Sequence, residues 1–163
     1  MSWIETPTWT PAAAPEPARD AGHVGLIGHS ISADWTLITA LKRRHPVTLA
    51  ESVAMLHPAP YAIDVLALEC TGLPRVAETV RLLRRRQPSL RIVLVGGGLS
   101  QSDVAEAFRE GALDFFPNPE ESALLAERLH SLCRLHERER NSPDEGRSRG
   151  RAIVRHGETD FVA

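Results

Sequence analysis

The sequence predicts an α/β protein, a three-layer sandwich in which helices cover both faces of a central sheet of five parallel strands. Two features lead to this fold. Short apolar runs, typical of strands buried on both faces, recur through the middle of the chain. Longer segments with apolar residues at helical spacing separate these runs. Such an alternation gives parallel strands joined by right-handed crossovers.

The first strand and helix are expected over residues 23–28 and 30–44. The strand, HVGLIG, is apolar and ends in glycine. Ser30 or Ser32 can cap the helix, and Pro46 stops it. The apolar residues at helical spacing in this segment are Trp35, Ile38 and Leu41.

The next two strands are expected over residues 47–51 and 62–69. A short helical turn lies between them, and it cannot pass Pro58. The second of these strands, AIDVLALE, is a continuous apolar run that ends in the acidic Glu69.

Three further helices and two strands complete the pattern. The helices are expected over residues 75–86, 100–111 and 120–140, and the strands over 91–95 and 114–116. The apolar stripes predicted for the first and last of these helices are Val76, Val80 and Leu83, and Leu124, Leu125, Leu129 and Leu132.

The 163-residue chain divides into three parts by composition. Residues 1–22 are rich in Pro and Ala and are expected to form a disordered tail, because proline prevents regular helix and strand. Residues 23–138 carry the alternating pattern and form one domain of ordinary size. Residues 139–163 are polar and are expected to be a linker or tail.

Composition excludes several classes of function. The formal net charge of −2 predicts no general attraction to nucleic acid or to an anionic membrane. No run approaches the roughly 20 apolar residues of a membrane span. Cys70 and Cys133 are too few for a disulfide framework, so we expect reduced thiols and a cytoplasmic protein.

In a parallel α/β sheet, ligands bind at the carboxyl ends of the strands. The candidate site residues are therefore those that follow the predicted first, third, fourth and fifth strands. They are Gly28, His29, Glu69, Gly96 and Asn118.

Three stretches of sequence carry a resemblance to a known family. REGALDFFPNPEESALLAERLHSL resembles the pattern Gly-Ala-x-Asp-Tyr-Leu-x-Lys-Pro followed by a last helix, while IDVLALE and RIVLVGG resemble the third and fourth strands. The family is that of the receiver domains of bacterial response regulators, which have the flavodoxin-like fold. The resemblance covers residues 23–136 approximately, and it implies a regulatory domain in place of an enzyme.

The resemblance also implies that the phosphorylation chemistry of receivers is absent. A working receiver holds Mg²⁺ on two acidic residues, phosphorylates an Asp, and stabilises the phosphoryl group with a hydroxyl and a Lys. In this chain the corresponding positions are changed, so the resemblance implies a degenerate pseudo-receiver without metal or cofactor. Gly28 and His29 replace the acidic pair, Glu69 the Asp, Gly96 the hydroxyl residue and Asn118 the Lys.

Two interpretations of Glu69 remain open. Its fixed negative charge could imitate a phosphorylated Asp and hold an active-like arrangement. Alternatively, Glu69 is a solvated acid at a strand end, paired with His29. The second interpretation is favoured, because the Lys and the hydroxyl that would sense the charge are absent.

A receiver-like domain without this chemistry is expected to act through protein contacts. One candidate interface is the last helix, where four leucines offer either contacts to a partner or core positions: Leu125, Leu129, Leu132 and Leu135. The partner would be a second copy or an attached AAA+ output domain, because residues 161–163 resemble the lead-in to that module in sigma-54-dependent transcription activators.

Other motifs suggest other chemistry. A sensor of a small ligand or nucleotide second messenger could use Arg84–Arg86 or the glycine-rich loop after residue 95. Residues 155–159, RHGET, match the signature of histidine phosphatases, but too little chain follows to build that active site. LIGHSIS resembles a nucleophile elbow around Ser30, but it lacks the final glycine and follows the first strand.

Overall fold

Five parallel strands form a single sheet in a computed structural model of the protein, which describes residues 21–56, 63–118 and 121–142. The strands are β1 (Val24–Ile27), β2 (Val47–Ala50), β3 (Val65–Glu69), β4 (Arg91–Val95) and β5 (Ala112–Phe116). Their spatial order is β2-β1-β3-β4-β5, and every neighbouring pair is parallel. This confirms the predicted fold class.

Five helices cover the two faces of the sheet. They are α1 (His29–Ala33), α2 (Trp35–Lys42), α3 (Val76–Arg86), α4 (Gln101–Arg109) and α5 (Ser122–Asn141). Helices α2 and α5 pack on one face, and α3 and α4 pack on the other. The middle strands β1, β3 and β4 are therefore buried on both sides, which explains their continuous apolar sequences.

Two apolar clusters fill the space between the three layers. The cluster under α2 and α5 contains the side chains of Leu26, Leu37 and Leu129, all of which are buried. The cluster under α3 contains Val76, Val80 and Leu83, as the spacing in that helix predicted. Because all the strands are parallel, their carboxyl ends lie at one edge of the domain.

The predicted helix over residues 30–44 is wrong in one respect, because it is two helices. Asp34 ends α1 and caps α2, and its Oδ1 accepts a hydrogen bond from the backbone N–H of Leu37 at 3.0 Å. Neither Ser30 nor Ser32 caps α2. Trp35, expected on the apolar stripe, is 77% exposed, because the first turn of α2 projects it away from the sheet.

The remaining elements differ little from the sequence prediction. Strand β3 begins at Val65, and a 3₁₀ turn at Val53–Met55 follows β2. Ser100 and Asp103 form a reciprocal capping box at the start of α4. Strand β5 starts two residues earlier than expected, with a bulge beside Ile92 and Val93.

The leucine stripe predicted for α5 needs one correction. Leu125, Leu129 and Leu132 lie in the core, whereas Leu124 is 59% exposed. Helix α5 also continues to Asn141, three residues beyond the expected domain boundary at 138. The ion pair between Arg91 and Glu139 holds this last part of the helix against β4.

Several expectations fall on residues outside the described ranges. These are the N-terminal tail up to residue 20, the stop at Pro58, and the segments 155–159 and 161–163. Within the described ranges, no helix is both long enough and apolar enough to cross a membrane.

The position of α5 on the sheet gives the first testable prediction. Leu129→Ala should lower the free energy of unfolding by about 2–5 kcal/mol, because it leaves a cavity in the core. Leu135→Ala, on the exposed side of the same helix, should change it by less than about 0.5 kcal/mol. Urea denaturation of the two variants measures both values, and equal losses would contradict the placement of α5.

Candidate functional site

Three of the five candidate residues lie together at the carboxyl edge of the sheet. Gly28, His29 and Glu69 line a pocket of about 230 Å³ between the ends of β1, β2 and β3. Gly96 lies beside this pocket, separated from it by Thr71. Asn118 follows β5, is exposed and does not line the pocket.

Glu69 fills the space beside the turn between β1 and α1. Its Oε2 accepts a hydrogen bond from the backbone N–H of Ser30 at 2.8 Å. Gly28 has a φ of 136°, and a Cβ atom at this position would overlap the Cβ and the carboxylate of Glu69. Only glycine fits here, because any other residue would meet both backbone strain and a steric clash.

Thr71 fills the corresponding space beside the end of β4. Gly96 has a φ of 112°, and a Cβ there would lie 2.5 Å from the Thr71 Oγ1. The backbone around this contact is fixed, since the Gly96 N–H donates to the Phe116 carbonyl at 2.8 Å. The hydroxyl beside β4 therefore comes from the loop after β3 and not from the residue that ends β4.

We call Glu69 and Thr71 together the β3 plug. Glu69 is the last residue of β3 and Thr71 lies in the loop after it. Each occupies the volume beside a glycine at a position where a working receiver carries a functional side chain. Sequence reasoning missed Thr71, because nothing in a sequence shows that a loop residue lies against a glycine 25 positions away. The signal that the sequence did offer was the glycine at the end of each of two strands, Gly28 and Gly96. Both have positive φ in the structure.

The expected pairing of Glu69 with His29 does not occur in the described part of the chain, where no hydrogen bond or ion pair joins them. The carboxylate is held instead by the Ser30 backbone, and His29 is exposed. Glu69 is therefore neither freely solvated nor paired with a cation. Its role in the fold is to connect the end of β3 to the start of α1.

The charges around the pocket do not suit phosphoryl transfer. Its lining includes the carboxylates of Glu51 and Glu69 and no Lys or Arg. Negative charge repels an anionic phosphodonor and leaves the developing charge of the transition state without a cation. Among the described residues, no group of three His, Cys, Asp or Glu side chains is placed to hold a metal ion.

Neither Ser30, which the sequence suggested as a nucleophile, nor the two cysteines are activated. Ser30 lies in the first turn of α1, and no hydrogen bond between its hydroxyl and a histidine occurs in the described residues. Burial raises the pKa of Cys70 to about 11 and that of Cys133 to about 12. Both thiols therefore stay protonated near neutral pH, which makes them poor nucleophiles.

A second, larger cleft of about 780 Å³ runs between α3 and α4 and includes the glycine-rich loop. Its charged lining carries more carboxylates than guanidinium groups, which disfavours a phosphate-bearing nucleotide. Arg84, a suggested nucleotide contact, donates to the Leu90 carbonyl at 2.8 Å and to the Pro88 carbonyl. The charged lining residues are Arg75, Arg81, Glu78, Asp103, Glu106 and Glu110.

The proposed interface leucines separate into two groups. Leu125, Leu129 and Leu132 are buried against the sheet, so they take the second of the two alternatives that the sequence left open, core positions. Leu135 is 46% exposed. It belongs to a set of exposed apolar residues on three neighbouring elements, which we call the α4–β5–α5 surface: Phe108, Leu113, Leu124 and Leu135.

Solved structures of other proteins share this fold. A CheY-like response regulator receiver domain from Methanospirillum hungatei superimposes with a TM-score of 0.63 at 14% identity, covering 73% of this chain and 98% of that one. The chain has the receiver fold. The sheet order, the parallel strands and the helices on both faces all match this architecture.

Two other similar structures are also response regulators. DrrB of Thermotoga maritima, an OmpR/PhoB homologue, gives a TM-score of 0.59 at 19% identity; the match covers 73% of this chain but 54% of DrrB. An atypical orphan response regulator, described as having a phosphorylation-independent mechanism, gives 0.54 at 15% identity, with coverage of 69% and 95%. No family model matches the chain, and a search of curated proteins gives no significant match.

The contact between Gly28 and the β3 plug gives the second prediction. Gly28→Ala should lower the free energy of unfolding by about 2–5 kcal/mol, because strain at positive φ adds to the overlap with Glu69. Gly98→Ala is the matched control, since Gly98 also has a positive φ, of 88°, but nothing lies within 4 Å of its Cβ position. That variant should lose about 1 kcal/mol, the cost of strain alone. Equal losses in urea denaturation would show that Glu69 does not occupy this volume.

Proposed function

We propose that this chain is a receiver-like regulatory domain that acts through protein contacts and does not depend on phosphorylation. The observation that carries the proposal is the β3 plug, which occupies the space beside Gly28 and Gly96. We further propose that the domain serves in bacterial transcription regulation, as the sequence resemblance to sigma-54-dependent activators suggested.

The charges of the pocket support the absence of phosphorylation. A Mg²⁺ ion requires several oxygen ligands in octahedral geometry, and Gly28 and His29 supply no carboxylate at the end of β1. Glu69 places its carboxylate one methylene further from the backbone than Asp would, and Ser30 holds it in place. Asn118 carries no positive charge. The atypical orphan regulator with the same fold offers a precedent for regulation of this kind.

The α4–β5–α5 surface supports regulation by contact. Strand β5 is at the edge of the sheet, so its outer backbone is not covered by another strand of the described chain. Between the exposed apolar residues, Arg128 Nε and Asp114 Oδ2 form an ion pair at 2.6 Å. A surface with apolar groups and both signs of charge can pair with itself about a twofold axis, and we propose a second copy as its partner.

The third prediction concerns phosphorylation. Incubation with acetyl phosphate and Mg²⁺ should leave the intact mass of the protein unchanged, because the pocket has neither the cation nor the Lys that the reaction requires. A working receiver treated in parallel checks the reagent. A phosphoryl group on the wild type that is lost in Glu69→Gln would overturn the proposal.

The fourth prediction concerns self-association. Sedimentation velocity of the full chain should show a concentration-dependent dimer, and Leu135→Glu should weaken it at least about tenfold, since it buries a charge at the interface. Leu82→Glu is the matched control, because Leu82 is also exposed on a helix but lies on α3. A monomer at high concentration, or equal weakening by both variants, would contradict the proposed surface.

A further inference from the structure

A cluster of histidines lies at the amino edge of the sheet, opposite the candidate site. It surrounds the point where the chain enters β1, directly after the N-terminal segment 1–20. Two of its rings, His45 and His136, are buried. The four members are His23, His45, His130 and His136.

Gly22 is held at this point from three sides. Its N–H donates to Glu137 Oε1 at 2.9 Å, and its carbonyl accepts from His45 Nδ1 at 3.0 Å. A Cβ at Gly22 would lie 3.0 Å from the Cβ of Cys133, so glycine allows the chain to approach α5 this closely. The backbone at Gly22 is therefore fixed by α5 and by His45 in the turn after α2.

The hydrogens of the His45–His130 pair can be assigned from their partners. A carbonyl only accepts hydrogen bonds, so Nδ1 of His45 carries the hydrogen that it donates to Gly22. His45 Nε2 and His130 Nδ1 are 2.8 Å apart, and one hydrogen must lie between them. In the neutral pair, His130 donates this hydrogen to His45.

The contact between the two rings tolerates one added proton but not two. One added proton can reside on the far nitrogen of His130 and leave the shared hydrogen bond intact. A second proton must go to Nε2 of His45, and two N–H groups then face each other across 2.8 Å. The contact has to open in that state, because both rings are donors and both are positively charged.

The charged groups around His45 come from both elements packed on it. From the end of α2, Arg44 opposes protonation, and it is itself paired with Glu127 at 3.6 Å. From α5, Glu137 favours protonation, while Arg134 lines the same shallow pocket of about 350 Å³. On the far side of Gly22, Asp64 accepts from the backbone N–H of His23 at 2.8 Å and pairs with His136 at 3.0 Å.

We propose that the His45–His130 pair is a proton-operated latch on the backbone that enters β1. While the pair carries at most one added proton, His45 holds the Gly22 carbonyl and fixes the start of β1 beside α5. The second proton separates the two rings, moves His45 away from Gly22 and releases this attachment. How firmly the backbone at Gly22 is held thereby depends on pH.

The direction of the effect follows from the pKa of His45. Burial lowers this pKa below its ordinary value, and the neighbouring His130 and Arg44 lower it further. The stabilisation from neutral His45 is therefore fully present above about pH 6.5, the usual pKa of histidine. It is lost as the pH falls below that value towards the lowered pKa of the folded state.

Amide hydrogen exchange at Gly22, measured by NMR on the full chain and corrected for the intrinsic rate at each pH, tests the latch. Between pH 7.5 and 5, protection of the Gly22 N–H in the wild type should fall about tenfold. Loss of roughly one hydrogen bond at the Gly22 carbonyl frees the backbone there, and this weakens the bond that the Gly22 N–H donates to Glu137. In His130→Asn this fall should be absent, because an amide offers His45 either a donor or an acceptor. His29→Asn, which alters an exposed histidine at the other edge, should behave as the wild type does.

Two results would overturn the proposal. The first is protection of Gly22 in the wild type that does not change with pH, or that falls equally in His130→Asn. The second is a ¹⁵N spectrum of the imidazoles at neutral pH in which His45 Nδ1 carries no hydrogen. The spectrum requires no variant, so it decides the question even if His130→Asn does not fold.

Discussion

The close approach of Glu69 to the turn between β1 and α1 is the contact on which the candidate site depends. β3 is the central strand of the sheet, so the residue at its end lies between the loops that follow β1 and β4. A carboxylate bound to the Ser30 N–H there requires glycine at position 28. With Thr71 beside Gly96, the same strand end closes both sides of the pocket. The shape of the pocket therefore follows from the volumes of Glu69 and Thr71. Each of these side chains fits only because the position beside it, Gly28 or Gly96, carries no Cβ atom.

Much of the fold could be predicted because it depends on patterns that are local in sequence. The apolar runs of β1, β3 and β4 and the spacing of Val76, Val80 and Leu83 are visible without coordinates. The division of the first helix at Asp34 was not predictable, since Ser30, Ser32 and Asp34 are all good caps and tertiary packing chooses among them.

The missed features of the site depend on contacts between distant segments. Glu69 binds the backbone N–H of Ser30, a group that almost every residue type carries. The identity of residue 30 therefore could not reveal this contact. On α5, Leu124 is exposed and its neighbour Leu125 is buried. A helix so rich in Leu has an apolar stripe on more than one side, so its sequence does not show which side faces the sheet. His45, which holds Gly22, and its partner His130 are 85 residues apart in the sequence, so no motif could reveal this contact.

Polar side chains join both ends of α2 to the first half of α5. Asp34, which caps α2, also accepts a hydrogen bond from Ser122 at the start of α5, and the ion pair between Arg44 and Glu127 lies further along. With the contact between His45 and His130 at 2.8 Å, these make three polar side-chain links between the α2 segment and α5. Among the described residues, α3 and α4 in the opposite layer share one such link, the Arg81–Glu110 pair at 3.8 Å. A binding event that shifts one helix therefore has fewer side-chain links to break in the α3–α4 layer.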